Sequence, residues 1–277
     1  MKKLNFKLLT ALLGVSLIAG IIFFACKKIE KGDAQRNASI QEFVKLAQEG
    51  AQIHNEALEY VYDELLKMDR DKLSLDVALN VSLDFIKTKS FFQYDLDGVI
   101  DAFKKESIKA KKTRTDRKNI WHDEDEQLLS NQQKSWLNQI QDIIDTNEDD
   151  LSQMAVELDK ISDAVIKNGT DEDIIILIVS IEIIKVSMNY WYNHLSEWEN
   201  LMSDGGGAKG KLWEKVKSAA VGDFAGGLGG MVGGAITGGL TGALAGGVGA
   251  APGAIIGALG GGVGGAITGS VTGAIVG

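Results

Sequence analysis

The three histidines of the sequence are its first candidates for chemistry, because two of them lie close to carboxylates. His122 precedes Asp123 and Glu124, and such a mixture of imidazole and carboxylate ligands can bind a divalent metal. His54 with Glu56 is a weaker candidate, since side chains two positions apart on a helix point away from each other. Neither pair forms a recognisable metal motif.

Other chemistry is excluded by composition and by missing motifs. The sequence has no H-E-x-x-H, no G-x-S-x-G and no Walker loop, and His194 lies among aromatic residues, where a structural role is expected. One cysteine rules out a multi-thiolate zinc site, and a net charge of −9 argues against nucleic acid as a partner. We therefore expect a protein that is not an enzyme and that needs no cofactor.

The N-terminus has the three parts of a targeting segment. Met1–Lys7 is basic, and Leu8–Ala25 is a run of 18 residues without a charge. A small residue, Ala25, then precedes Cys26, the cysteine of the chain. This order predicts a secretory signal over residues 1–25. An uncleaved membrane anchor is the alternative, because 18 apolar residues can just cross a bilayer.

The residues from Phe23 to Cys26, followed by two lysines, resemble the lipobox of bacterial lipoproteins of the Bacteroidetes type. The resemblance implies that Cys26 is acylated and becomes the first residue of the mature chain. It also implies a location in the cell envelope, anchored to a membrane outside the cytoplasm, at the outer membrane or the cell surface.

Residues 26–203 form an acidic segment with helical periodicity. Apolar residues recur there at spacings of three and four, and the segment lacks proline. Ser74 and Thr170 are predicted to begin helices as N-caps. Ile174–Ile184 is the most apolar run, and charged residues interrupt it, so it is predicted to be the central helix of a multi-helix bundle.

Trp191 and Trp198 continue that helix and allow two interpretations. They could form a surface for a protein partner, or they could join Leu195 in one buried stripe at helical spacing. The spacing of four and three favours the buried stripe.

The C-terminal segment, residues 222–277, holds most of the 33 glycines and has no charge after Asp223. Its glycines recur every fourth residue, which aligns them along one ridge of a helix, where no side chain projects. The predicted packing glycines are Gly222, Gly226, Gly230, Gly234, Gly238, Gly242, Gly246, Gly253, Gly257, Gly261, Gly265, Gly269, Gly273 and Gly277.

This segment is also an internal repeat with a turn between its copies. Val232–Gly238 recurs as Val263–Gly269, and Pro252 lies between them. Residues 222–248 and 253–277 would each form a helix of roughly 37–40 Å, enough to cross a bilayer core of about 30 Å. Small residues at spacing four let such helices pack closely in lipid. The sequence therefore predicts a transmembrane-like helical hairpin. Residues 204–221 would form a Gly/Lys linker and a short amphipathic helix.

The hairpin resembles glycine-zipper segments of bacterial envelope lipoproteins and the Gly/Ala-rich membrane-active regions of bacteriocins. The fold class predicted for the whole chain is all-α, a multi-helix bundle followed by a glycine-zipper helical hairpin. The expected function is that of a tethered lipoprotein whose hairpin inserts into a lipid bilayer and self-associates there, in a structural or a bacteriocin-like role. The alternative is a helical binding module for a protein partner, without a membrane-active tail.

Overall fold

The computed structural model describes residues 33–92, 96–112, 129–147, 150–202, 219–231 and 250–276. Within these ranges the chain forms eight α-helices and two short 3-10 turns, and it has no strand, so the predicted all-α class is confirmed. The helices are α1 (Asp33–Leu66), α2 (Leu75–Thr88), α3 (Leu96–Lys112), α4 (Asn131–Thr146), α5 (Leu151–Asn168), α6 (Asp171–Met202), α7 (219–231) and α8 (Ala250–Val276).

Side-chain caps define where four of these helices begin. The Ser74 hydroxyl accepts from the Val77 amide at 3.3 Å and so begins α2, as the sequence predicts. Thr170 begins α6 in the same way, by accepting from the Asp173 amide at 3.2 Å. The Asp173 carboxylate accepts in return from the Thr170 amide at 2.8 Å, and this reciprocal pair satisfies two orphan donors. A second reciprocal cap, at Ser130, begins α4, and an aspartate cap begins α5.

Helix α6 is the central helix, because it packs against α1 on one side, α5 on another and α8 on a third. Its apolar run from Ile174 to Ile184 is almost entirely buried. Among the described residues, the segment Asp171–Leu201 is the one helix long and apolar enough to cross a membrane, and 78% of its most apolar window is buried. That burial identifies it as the core helix that the sequence predicts.

The two C-terminal helices lie inside the bundle. Helix α8 packs against α1, α2, α3 and α6, whereas α4 and α5 form a pair that packs on α6 through α5. Every described side chain from Gly257 to Thr272 is buried. Exposure of the apolar surface of α7 and α8 to water is unfavourable, and the apolar faces of α1, α2, α3 and α6 bury that surface. We name these four helices the sheath.

Candidate functional site

The glycine ridges of α7 and α8 face each other in antiparallel register. A Cβ atom placed on Gly226 or on Gly265 would collide with the backbone carbonyl of the other. A Cβ on Gly230 would likewise collide with the Gly261 carbonyl, and a Cβ on Gly269 would collide with the Gly222 carbonyl. The two helices therefore touch through their backbones, which is the close approach that a spacing of four predicts.

Other glycines of α8 meet the sheath instead of α7. A Cβ on Gly260 would lie 2.5 Å from Val99 Cγ2, and one on Gly264 would lie 3.4 Å from Val99 Cγ1, so both positions face α3. In α1, a Cβ on Gly50 would lie 3.0 Å from Val263 Cγ2. Helix α8 is thus closely packed on more than one face, and atoms of α7 and α3 occupy the positions that larger side chains on α8 would need.

A polar cluster lies within this apolar packing, near the start of α7 and the end of α8. His54 of α1 and Asp223 of α7 are both fully buried, and His54 Nε2 lies 3.5 Å from Asp223 Oδ2. Ser270, near the end of α8, lies with its hydroxyl 2.8 Å from the same ring nitrogen. The cluster therefore joins both arms of the hairpin to the sheath.

Helix α6 supplies two donors to the carboxylate of the cluster. The Ser187 hydroxyl donates to Asp223 Oδ2, and the Trp191 indole N–H donates to the same oxygen at 3.0 Å. Both donors are themselves buried. Hydrogen bonds to a charged acceptor are stronger than those between neutral groups, so these contacts fix Asp223 against α6.

The hydrogen bonds of Asn55 define the tautomer of His54. The Asn55 amide donates from Nδ2 to the Val186 carbonyl at 3.4 Å, which turns its Oδ1 toward the ring. His54 Nδ1 then donates to this oxygen at 3.0 Å, and Nε2 accepts from the Ser270 hydroxyl. Burial lowers the pKa of His54 from 6.5 to about 4, so the ring is neutral at neutral pH.

The combination of serine, histidine and aspartate is not arranged as a hydrolase triad. In a triad the carboxylate and the nucleophile bind opposite ring nitrogens, whereas here Asp223 and Ser270 both face Nε2 of His54. All three side chains are fully buried, so no substrate reaches them from solvent. The cluster instead links α1, α6, α7 and α8 through buried hydrogen bonds.

The buried-stripe interpretation of the tryptophans is confirmed, and the partner-surface interpretation is wrong for these two residues. Trp191 and Trp198 are both 0% exposed, and Leu195 is buried between them. Trp198 donates to the Tyr190 hydroxyl at 3.0 Å, and its ring packs on Trp191 with centroids 5.5 Å apart. The indoles are core residues because their helix face is turned into the bundle.

Of the predicted packing glycines, those at positions 222, 226, 230, 261, 265 and 269 form the paired ridges. Gly257 is buried and Gly273 is half-buried, and Gly253 lies in α8. Gly234, Gly238, Gly242, Gly246 and Gly277 lie outside the described residues, as does Cys26.

The two histidine–carboxylate candidates differ in what the structure describes. His122 and its acidic neighbours lie outside the described residues. His54 and Glu56 point apart: Glu56 is exposed and pairs with Lys89 at 2.6 Å, while His54 faces the hairpin. The described part of the chain holds no group of three or more His, Cys, Asp or Glu able to bind a metal ion.

Sequence reasoning missed the polar cluster, although two signals pointed to it. Asp223 is the last charged residue of the chain and stands at the start of the apolar hairpin. His54 lies among Ile53, Ala57 and Leu58 on the apolar face of α1. Periodicity within a helix could not show that His54 on α1 would contact Asp223 on α7, more than 160 residues later in the sequence.

No protein-family model, curated protein or solved structure matches the chain.

Proposed function

We propose that this protein is a membrane-tethered envelope lipoprotein that keeps a membrane-active glycine-zipper hairpin inside its own helical bundle and delivers it to a lipid bilayer. The observation that carries the proposal is the burial of an apolar, glycine-rich hairpin within the sheath of four helices. Once delivered, the hairpin would self-associate through its small residues.

The glycine content of the hairpin explains why its helices need an apolar environment in order to be stable. Each glycine in a helix costs about 1 kcal/mol relative to alanine in water, so this segment forms poor helices by itself. In a bilayer every unpaired backbone group costs several kcal/mol, so helix is favoured there in spite of the glycines. The sheath provides a comparable dry environment before the membrane is reached.

The contacts of the hairpin suit its transfer as a unit. The pairs Gly222–Gly269, Gly226–Gly265 and Gly230–Gly261 are internal to the hairpin and need no sheath residue. The contacts of Gly260 and Gly264 with Val99 belong to the sheath and would be exchanged for lipid. A hairpin that moves from the sheath to lipid must keep the contacts between its own two helices and exchange its contacts with the sheath for contacts with lipid.

Acylation of Cys26 would hold the protein at the membrane while the hairpin stays enclosed. Each buried methylene of an acyl chain contributes about 0.8 kcal/mol, so several chains would anchor the N-terminus firmly. If hairpin and lipid enter the same membrane, the role is structural; if the hairpin reaches another cell, the role is bacteriocin-like. A killing assay of the full chain against neighbouring cells separates these two roles, and an absence of killing dismisses the second.

The hairpin can be locked to the sheath by one engineered disulfide. A Cβ on residue 260 would lie 3.9 Å from Val99 Cβ, close to the separation of about 3.8 Å found in disulfides. We would combine Val99→Cys and Gly260→Cys with Cys26→Ser in the full chain. The dye release that this protein causes from vesicles of phosphatidylglycerol and phosphatidylcholine is then measured in its oxidised and reduced forms.

The reduced form is expected to release dye and the oxidised form to release much less, because the disulfide ties α8 to α3. The reduced form is the matched control, since the N-terminal apolar segment and the substitutions are the same in both. Equal release by both forms would show that the hairpin does not leave the sheath, and the delivery proposal would be abandoned.

A helical binding module with the hairpin as a permanent core is the second candidate. The burial of α7 and α8 on all described faces favours it, because a core element of a globular domain looks the same. It predicts that neither form of the disulfide variant disturbs vesicles. It also predicts that a partner binds the outer faces of the bundle, away from Trp191 and Trp198.

A further inference from the structure

Helix α3 differs in charge from the other helices of the bundle. It carries five lysines and three acidic residues, whereas every other charged α-helix that the structure describes has more acidic than basic residues. Asp97 and Asp101 lie in the first half of α3, and Glu106 lies among the lysines. The lysines occupy the second half, at positions 104, 105, 109, 111 and 112. The second half of α3 is therefore a basic region in a chain whose net charge is −9.

The basic region is exposed on the side of α3 that faces away from the bundle. Lys104 and Lys105 are exposed, and Ile108, one turn later, is 57% exposed. Phe103 and Ser107, on the other side of the helix, are buried. We name Lys104, Lys105 and Ile108 the basic face.

The charge of the basic face is not paired within the described part of the chain, where no carboxylate forms an ion pair with Lys104 or Lys105. Other lysines of the bundle do form such pairs, with carboxylate oxygens 2.6–3.0 Å from the ammonium group: Lys67, Lys72, Lys87, Lys89 and Lys185. The positive charge of the basic face is therefore available to an anion outside the protein.

We propose that the basic face of α3 is the surface through which this protein docks on a membrane that contains anionic phospholipids. The proposal rests on the proposed function, because it assigns the contact that precedes delivery of the hairpin. Charge complementarity favours this occupant, since anionic headgroups attract lysines close to the membrane surface. Ile108 adds an exposed apolar side chain among the lysines, and the boundary between headgroups and acyl chains accepts both kinds of side chain.

The acidic character of the whole chain does not prevent this contact. Interactions between exposed charges are screened beyond about 8 Å at physiological ionic strength. A membrane that approaches the basic face is therefore attracted by the nearest lysines, while the carboxylates of the other helices act on it more weakly. The same screening predicts that added salt weakens docking.

The buried side of α3 covers the hairpin. Val99 is buried against α8, where a Cβ on Gly260 would lie 2.5 Å from Val99 Cγ2. Helix α8 is the main neighbour of α3, and a smaller contact joins α3 to α2. Docking through the basic face therefore leaves one helix between the membrane and α8, and packed helices have axes about 8–10 Å apart. The hairpin then lies on the membrane side of the bundle.

The test places an environment-sensitive fluorophore on the basic face of the full chain, through Ile108→Cys combined with Cys26→Ser. The matched control carries the fluorophore through Val156→Cys with Cys26→Ser. Val156 is also an exposed apolar residue, 51% accessible, on α5, which packs on α4 and α6. Each protein is mixed with vesicles of phosphatidylcholine alone or with added phosphatidylglycerol. The emission spectrum gives the ratio of docked to undocked fluorophore.

Vesicles with phosphatidylglycerol are expected to shift the fluorophore at position 108 to the emission of an apolar environment and to leave the one at position 156 unchanged. The N-terminal apolar segment is the same in both proteins, so the difference reports the helix face. Raising NaCl from about 0.1 M to about 0.5 M is expected to lower the docked ratio, and this measurement needs no further substitution.

Removal of two charges from the basic face is expected to weaken docking strongly. Lys104→Gln with Lys105→Gln, added to the protein labelled at position 108, should lower the docked ratio by about 25-fold, because each lysine near an anionic surface contributes about fivefold. Lys160→Gln with Lys167→Gln removes the same charge from exposed positions of α5. It should change the ratio by less than about twofold.

Equal shifts with both kinds of vesicle, or a docked ratio that neither salt nor the Lys104→Gln and Lys105→Gln pair lowers, would overturn the docking surface. A shift at position 108 without vesicles, growing with protein concentration, would overturn it too, because a second copy of this acidic chain would then be the occupant. Docking without dye release would leave the surface standing and dismiss the proposed function. Dye release without a charge-dependent shift would dismiss the surface and leave the proposed function standing.

Discussion

At the scale of the residue, the absence of a side chain is the feature that most constrains the hairpin. Gly226 and Gly227 are neighbours on α7, yet only the first lies on the ridge. A Cβ on Gly226 would collide with the Gly265 carbonyl, whereas a Cβ on Gly227 would meet its nearest atom, the Gly262 carbonyl oxygen, at 3.4 Å. The two positions therefore separate the effect of close packing from the effect of glycine flexibility.

We predict that Gly226→Ala lowers the free energy of unfolding by about 1–3 kcal/mol, because the two backbones must move apart. Gly227→Ala is expected to change it by less than about 1 kcal/mol, in the stabilising direction, since alanine is the better helix former. Urea denaturation followed by circular dichroism measures both. Equal losses in the two variants would contradict the ridge geometry.

The buried histidine shows the limit of reasoning from residue types. His54 looked like half of a weak metal pair with Glu56, and the two side chains in fact face opposite environments. Its long-range partners come from α7 and α8, and their identity depends on tertiary packing, which spacing within α1 does not reveal.

At the scale of the element, much of the fold could be predicted. Ser74 and Thr170 begin α2 and α6 as their cap chemistry requires, and the glycine period predicts which faces of α7 and α8 meet. The sequence predicts a transmembrane-like hairpin that follows the bundle, whereas the described parts of α7 and α8 lie inside the bundle. The prediction differs from the structure because an uncharged, apolar helix pair suits lipid and a protein core alike. Amphipathic periodicity shows that α1, α2 and α3 need an apolar partner but does not identify that partner.

The hairpin is predicted to be helical only where an apolar environment, either the sheath or lipid, surrounds it. A peptide of residues 222–277 is expected to be largely unstructured in water, because its glycines oppose helix formation and the sheath is absent. In detergent micelles the same peptide is expected to become helical, since unpaired backbone groups are costly in an apolar phase. Circular dichroism in the two media measures this change. A peptide that stays unstructured in micelles would contradict a lipid-compatible hairpin.

At the scale of the whole molecule, the chain combines a predicted targeting segment over residues 1–25 with an apolar helix pair enclosed in the bundle. The net charge of −9 lies entirely before the apolar stretch that follows Asp223. An anionic membrane surface would repel the acidic bundle, so under the proposed function the hairpin would have to separate from the bundle in order to contact such a surface.

Processing at Cys26 is the whole-molecule prediction. In a bacterial host, inhibition of the lipoprotein signal peptidase by globomycin should accumulate a slower-migrating precursor of the wild-type protein. Cys26→Ser should show no such change, because it lacks the acceptor thiol. Electrophoretic mobility and intact mass measure the outcome. A wild-type protein unaffected by the inhibitor would favour an uncleaved anchor.

The backbone contact between α7 and α8 also limits how the protein can recover from mutation. In most helix pairs, an enlarged side chain on one helix can be accommodated by a smaller one opposite. Here the opposing residue is already glycine at three successive turns, so no smaller replacement exists. Second-site suppressors of a mutation at one of these glycines are therefore expected outside the α7–α8 contact, at residues whose substitution lets α7 and α8 move apart.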